Sequence, residues 1–242
     1  MKEPALTPAR RVRLLIEVAL IYGVTPVLFW TELIPMRWLH PGLFVGTLAV
    51  LLTVRRDPAF EPVSLWNPPG LRTRRRTLFT LFGICTIILF GFMATLLHIR
   101  TLGWFDIPPE VDWFALPRHR PGVYLLLMVG YPLLSVYPQE VIYRTFFFHR
   151  YAKIFPSNKW CVVINALLFG WAHIIFHNPI AVGLTVAGGA IFATTYIKTR
   201  STLAVTVEHS LYGCLLFTLG LGWYFYSGSL HALEHAVTVT TR

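Results

Sequence analysis

Charged side chains are scarce in this sequence. Only 13% of its 242 residues are Asp, Glu, Lys or Arg, whereas 55% are hydrophobic and the mean hydropathy is +0.58. A typical soluble domain carries about 25% charged residues. The composition therefore excludes a water-soluble fold. It predicts an all-α, polytopic membrane protein with no sizeable soluble domain.

Cysteine is rare as well. Cys85, Cys161 and Cys214 each fall inside an apolar run, and no two of them form a CxxC pair. This spacing argues against a disulfide framework or a zinc knuckle. We expect the three thiols to be small core side chains.

Acidic residues are outnumbered, with 11 Asp and Glu against 21 Lys and Arg, which gives a net charge of +10. The basic residues are not spread along one face but lie in short clusters between apolar runs. Cytoplasmic loops of membrane proteins have this pattern, so we expect no nucleic-acid partner. The clusters are Arg10, Arg11 and Arg13; Arg55 and Arg56 with Arg72 to Arg76; Arg150 and Lys153; and Lys198 and Arg200.

Apolar runs long enough to span a bilayer predict about seven transmembrane helices, within a range of six to eight. Alternating them across the membrane places all four basic clusters on one side. The N-terminus is therefore predicted in the cytoplasm and the C-terminus outside. Because the second run is short, its loss as a span would reverse this assignment. The runs are 14–34, 39–54, 78–98, 122–148, 159–177, 180–197 and 202–220.

Three regions are predicted along the chain. Residues 1–121 hold the N-terminal transmembrane helices and loops, and 122–220 hold a bundle with most of the polar intramembrane residues. Residues 221–242 contain the aromatic run "WYFY" from Trp223 to Tyr226, which is typical of a membrane interface. Small residues in "AVGLTVAGGAIFATTY" predict close helix packing in the second region.

Ionisable residues inside the predicted spans need a partner or a function, since each costs about 2.5–3.5 kcal/mol at mid-bilayer. Glu140 lies in the fourth span, His173 in the fifth and His209 in the seventh. At about 1.5 Å per residue they lie roughly 14, 21 and 12 Å from the cytoplasmic ends of their helices. The sequence therefore predicts that the three side chains meet near the middle of the membrane.

The four-residue spacing of a helix face supports this cluster. Arg144 follows Glu140 by four residues and can keep the carboxylate ionised and oriented. Pro138 removes a backbone donor just before Gln139, which predicts a kink that opens room beside the carboxylate.

One glutamate and two histidines allow two kinds of hydrolytic chemistry. They can hold a divalent metal that activates water, or a glutamate and one histidine can activate water directly while the other histidine stabilises the oxyanion. A purely structural cluster, with one ion pair and two core histidines, is the alternative. A proton-coupled transporter also uses such residues, although no inverted repeat is apparent here.

Three short motifs in residues 120–220 resemble those of one family. "QEVIYR", "FGWAH" and "HSLYG" are similar, in this order, to the EExxxR, FxxxH and HxxxN motifs of the CPBP family of CAAX proteases and bacteriocin-processing enzymes. The resemblance implies an intramembrane endopeptidase acting on membrane-associated or lipidated, CAAX-like proteins. It also implies the lipid bilayer as a partner and a bacterial-type plasma membrane as the location.

The motifs carry over position by position. Glu140 matches the second glutamate, Arg144 the arginine, His173 the histidine that helps to activate water and His209 the oxyanion-side histidine. A glutamate-type mechanism of this kind requires no cofactor. If a divalent metal such as zinc were used instead, Glu140, His173 and His209 would be its ligands.

Two positions depart from the motifs. Gln139 replaces the first glutamate, and an amide cannot take a proton from water. Gly213 replaces the asparagine that assists the second histidine. Either Glu140 serves as the base with Gln139 as a hydrogen-bond donor, or the chain is an inactive, CPBP-like binding or scaffold protein. Tyr143, Phe169 and Gly213 are predicted to border the substrate.

Overall fold

The computed structural model describes residues 6–225, and over that range the chain is helical without strands. Seven helices within it are long and apolar enough to cross a membrane, which confirms the predicted architecture. The side on which the N-terminus lies stays a prediction. The helices are α1, Pro8–Trp30; α2, Met36–Arg55; α3, Pro68–Thr101; α4, Pro121–Ile154; α5, Asn158–Phe176; α6, Pro179–Thr199; and α7, Thr202–Leu219.

The third helix differs most from its predicted bounds. Predicted for 78–98, α3 starts ten residues earlier, because the side chain of Asn67 accepts a hydrogen bond from the backbone N–H of Gly70 and caps it. The arginines that follow are good helix formers, so nothing stops the helix at the edge of the hydrocarbon. At 34 residues it is about 51 Å long and extends beyond a bilayer core of about 30 Å.

The last four helices are joined by very short connections with strong capping signals. Ser157, Asn178 and Ser201 each accept a hydrogen bond from a backbone N–H three residues later, at 3.5, 2.7 and 3.1 Å. Each therefore begins a helix, α5, α6 and α7 respectively. Such tight connections force consecutive helices to pack as antiparallel neighbours.

Large apolar side chains cover the outer surface of the bundle. Ile87 on α3 and Leu126 on α4 are 74% and 73% exposed, and many leucines, valines and phenylalanines on the described helices resemble them. Soluble monomers rarely expose contiguous apolar surface of this extent. Lipid chains are the solvent that suits this surface, as expected of a multi-pass membrane protein.

Helix α4 is irregular on both sides of Glu140. Wide π turns at Pro132–Val136 and Val141–Phe146 flank the short α-helical segment Tyr137–Glu140. Pro132 and Pro138 lack the N–H of a regular helix, so the backbone around them departs from the usual bonding. The disturbance expected at Pro138 thus takes the form of two wide turns, which are frequent at functional sites.

The first helix packs directly against α4. The hydroxyl of Tyr22 donates to the carbonyl oxygen of Ile142 at 2.8 Å, inside the second π turn. Arg150 donates from Nε and Nη2 to the carboxylate of Glu17, at 2.7 and 2.9 Å. The N-terminal helices and the polar bundle are therefore in direct contact.

Close packing of α5 and α6 runs through two glycines. A Cβ added at Gly189 would lie 3.0 Å from the Cα of Ala166, and one at Gly170 would overlap the side chain of Val186. Gly183, by contrast, faces open space. Only part of the small-residue run therefore serves the close approach that its composition predicts.

A reversal of the chain follows α7. Gly220 has a φ of +100°, and a Cβ there would overlap the carbonyl oxygen of Asp112, so only glycine fits. Residues 221–225 then form one 3-10 turn, whose Tyr224 carbonyl accepts from the side chain of Asn178 at 2.8 Å. The remainder of the predicted aromatic tail, 226–242, lies outside the described residues.

Candidate active site

Glu140 is fully buried in α4 and has two direct neighbours. Its Oε1 accepts a hydrogen bond from Nδ1 of His209 at 2.7 Å, and its Oε2 lies 3.4 Å from Nε of Arg144. The contact with Arg144 follows from the four-residue spacing on one helix. The contact with His209 joins α4 to α7, so the carboxylate links two helices of the bundle.

Arg144 is an unusual buried cation. It is 0% exposed, and its three guanidinium nitrogens have no hydrogen-bond partner among residues 6–225. Its guanidinium carbon lies 4.6 Å from the ring centre of Phe169 and 5.8 Å from that of Phe192. The positive charge is thus balanced by the carboxylate of Glu140 and by the negative faces of two aromatic rings.

The imidazole of His209 is held from several sides. While Nδ1 faces Glu140, Nε2 lies 3.1 Å from the hydroxyl of Tyr131. The ring stacks on Phe192, with centres 4.5 Å apart and an angle of 22°, and meets the edge of Phe169 at 5.6 Å. Both nitrogens have polar neighbours and the ring packs against two aromatic rings, so its orientation is fixed.

His173 lies where α5 narrows into a 3-10 turn, His173–Phe176. Its Nδ1 is 2.7 Å from the carbonyl oxygen of Phe169 and must donate to it, since a carbonyl only accepts. In the neutral ring the lone pair is then on Nε2. His173 is half-buried, and its Nε2 can act as a proton acceptor.

The side chain of Phe169 is the common neighbour of these groups. Its ring centre lies 4.8 Å from that of His173 and 5.6 Å from that of His209, and Arg144 lies over its face. The predicted cluster thus surrounds one aromatic ring. Within it, the direct contacts of Glu140 are with His209 and Arg144. That Glu140 activates water together with His173 stays a prediction.

Gln139, at the position of the first motif glutamate, makes a hydrogen bond along its own helix. Its side-chain Nε2 donates to Oγ of Ser135 at 2.8 Å. The amide nitrogen is therefore bonded to a residue one turn earlier on α4. Its role as a donor in the site stays a prediction.

The two other residues predicted to border the substrate lie among protein side chains. Tyr143 is half-buried between the rings of Tyr22 and Phe169, at 5.1 and 5.3 Å between centres. Gly213 is buried on α7, one turn after His209 and against the ring of Tyr131. Their contact with a substrate stays a prediction.

Tyr131 is the site neighbour that the motifs do not reveal. It belongs to no motif and precedes Glu140 by nine residues. The only signal in the sequence is the line of His209, Gly213 and Phe217 on one face of α7, where the glycine leaves a notch between two rings. The Tyr131 ring lies in that notch, with its centre 5.2 Å from that of Phe217.

Glu208, next to His209 in the chain, belongs to a separate cavity. This cavity of about 370 Å³ lies between α3, α6 and α7, and its walls include Arg74, Lys198 and Glu208. The Oε2 atom of Glu208 has no hydrogen-bond partner in the described part of the chain. The structure thus places Glu208 on a different side of α7 from the cluster around Glu140.

The arrangement does not fit a metal ion. Within residues 6–225 no three His, Cys, Asp or Glu side chains lie together as a ligand set. Both ring nitrogens of His209 face protein groups, and Nδ1 of His173 faces a carbonyl. A zinc site made of Glu140, His173 and His209 would require these contacts to be exchanged, so we assign no step to a metal.

A comparison with protein families finds a match within the second half of the chain. Residues 121–215 match the family model described as type II CAAX prenyl endopeptidase Rce1-like. No curated protein and no solved structure matches the chain. The family match confirms the resemblance seen in the three motifs. It supports an intramembrane protease with a protein substrate.

Proposed function

We propose that this protein is an intramembrane endopeptidase that hydrolyses peptide bonds of membrane-associated or lipidated, CAAX-like proteins. The observation that carries the proposal is the buried series Arg144, Glu140 and His209, which meets His173 around the ring of Phe169. Charged groups inside a membrane are expensive, and they are usually retained for a chemical task.

In the proposed reaction, Nε2 of His173 takes a proton from water while the water oxygen bonds to the substrate carbonyl carbon. This proton then passes to the nitrogen of the leaving amine as the peptide bond breaks. The histidine is suited to this part because its Nδ1–H is committed to the Phe169 carbonyl.

Glu140 and His209 form the electrostatic half of the proposal. The Glu140 carboxylate stabilises positive charge on the His209 ring, and the Nε2–H of that ring, which faces the hydroxyl of Tyr131, can also donate to the developing oxyanion beside that hydroxyl. Glu140 would then contribute to the attack by water indirectly, through His209, whereas His173 contributes directly by accepting the proton. Arg144 lies beside the other carboxylate oxygen of Glu140 and balances its negative charge.

A cleavage assay with a matched histidine control tests this proposal. The purified protein in liposomes, given a fluorogenic peptide that carries a prenylated CAAX sequence, is expected to release product. His173→Gln should lower kcat by about 10²- to 10⁴-fold because the proton acceptor is lost. His177→Gln, at an exposed residue one turn further on, should leave kcat unchanged. Full activity in His173→Gln would refute the assignment.

The bond from Gln139 to Ser135 favours a second candidate function. An amide held by a neighbouring hydroxyl supplies no base, so the bundle can also be a non-catalytic protein that binds a lipidated or helical segment. This candidate predicts a partner that remains bound without being cut.

Gln139→Glu distinguishes the two functions. If the natural protein is a protease, we expect this variant to change kcat by less than about tenfold, because general base catalysis is already supplied by His173. Ser135→Ala, which removes the same hydrogen bond without adding a carboxylate, is the control. A natural chain that cleaves no peptide, together with a Gln139→Glu variant that does, would establish the binding function instead.

A further inference from the structure

The position of Tyr131 suggests a role beyond packing. It is the last residue of the regular first section of α4, Pro121–Tyr131, and its hydroxyl lies 3.1 Å from Nε2 of His209. Its ring meets the ring of His209 edge-on, with centres 6.0 Å apart and an angle of 83°. Tyr131 therefore contacts the edge of His209 that lies opposite Glu140.

Gly213 makes this position available. A Cβ at 213 would lie 2.6 Å from Cζ of Tyr131 and would overlap its Cε1 and hydroxyl oxygen. The tyrosine ring thus occupies the space, one turn from His209, that a side chain at 213 would fill. The position of the tyrosine ring therefore depends on the glycine, since any larger residue at 213 would displace the ring.

Both nitrogens of His209 are bonded only while Tyr131 is in place. Nδ1 is held by Glu140 from α4, and Nε2 is held by a hydroxyl from the same helix nine residues earlier. Rotation of the imidazole would break both bonds and turn carbon atoms towards Glu140 and Tyr131. Outer hydrogen bonds of this kind fix the tautomer and plane of a histidine.

We propose that Tyr131 is the positioning residue of His209 and supplies, from α4, the hydrogen bond that Gly213 cannot supply from α7. Its consequence for catalysis rests on the proposed peptidase function. The contact between Tyr131 and His209 does not depend on that function, so it can be tested in a protein without peptidase activity.

Removal of the hydroxyl is the first test. Tyr131→Phe should lower kcat about 10- to 100-fold, the usual effect of losing a hydrogen bond that orients a catalytic group. KM should change less than about twofold, because substrate binding is not altered. Tyr124→Phe is the matched control: its hydroxyl lies 3.1 Å from Oγ1 of Thr218, which likewise joins α4 to α7. That variant should retain full kcat.

Transfer of the hydrogen bond to α7 is the second test. Gly213→Asn alone should be inactive because the new side chain overlaps Tyr131, and Tyr131→Ala alone should lose the bond to His209. The double variant Tyr131→Ala with Gly213→Asn gives the amide the vacated space next to Nε2. It should recover at least about tenfold in kcat over Tyr131→Ala.

The imidazole ¹⁵N spectrum reports on the contact without any substrate. The Nε2 resonance of His209, assigned by its absence in His209→Gln, should move in Tyr131→Phe and stay in place in Tyr124→Phe. An unchanged resonance together with an unchanged kcat would overturn the proposal. A resonance that moves in a protein without peptidase activity would support the positioning role and refute the proposed function.

Discussion

Glu140→Gln is expected to reduce cleavage of the prenylated CAAX peptide by about 10²- to 10³-fold. The substitution keeps the shape of the side chain but removes the negative charge that faces Nδ1 of His209 at 2.7 Å. It also removes the charge opposite Arg144. Because the lost interaction acts on the transition state, kcat should fall much more than KM rises. Steady-state kinetics in liposomes give both values.

Glu17 supplies the control for this experiment. It is another carboxylate in a membrane-spanning helix, and it is paired with Arg150 at 2.7 Å. Glu17→Gln removes one negative charge, as Glu140→Gln does, together with the ion pairs to Arg13 and Arg150, but away from His173 and His209. It should leave kcat within about twofold if the effect belongs to the site. Equal losses in the two variants would show a general effect of membrane charge.

Arg144 should determine how stable the Glu140 variant is. Without Glu140, a fully buried guanidinium loses the carboxylate that lies 3.4 Å away, and breaking such a pair from one side typically costs about 3–5 kcal/mol. Removing Arg144 leaves Glu140 in contact with His209. We therefore expect Glu140→Gln to lower the free energy of unfolding more than Arg144→Met does.

The double variant completes this comparison. Glu140→Gln with Arg144→Met removes both charges of the pair, so it should be more stable than Glu140→Gln alone while remaining inactive. Unfolding in mixed micelles at increasing denaturant measures stability, and the peptide assay measures activity. A double variant as unstable as the sum of the two single variants would mean that the two charges are not coupled.

The sequence predicts the spans well because a bilayer imposes a single simple requirement on them. Long apolar runs must be helices, so all seven were recognisable, and only their ends were missed. Outside the hydrocarbon this requirement no longer applies, which explains the large error at α3. Its arginine-rich start continues the helix from Pro68, although hydropathy marks only the later part.

The contact between Glu140 and Arg144 was also predictable, since it depends only on a spacing of four along one helix. Tyr131 was not. In a regular helix, nine residues turn by about 900°, which places Tyr131 half a turn away from Glu140. The π turn Pro132–Val136 holds roughly one residue more than a regular turn. It therefore changes the angle between Tyr131 and Glu140 around the helix axis by about 100°. Counting residues cannot anticipate such a turn.

The pairing of Glu17 with both Arg13 and Arg150 has a consequence for the order of assembly. Arg13 lies one helical turn before Glu17 and donates to it at 3.1 Å, whereas Arg150 follows 133 residues later. At roughly 5–20 residues per second, synthesis of the intervening chain takes on the order of 10 seconds. During that interval, the carboxylate of Glu17 lacks its partner from α4, because Arg150 has not yet been made. Arg13 can neutralise it until α4 arrives.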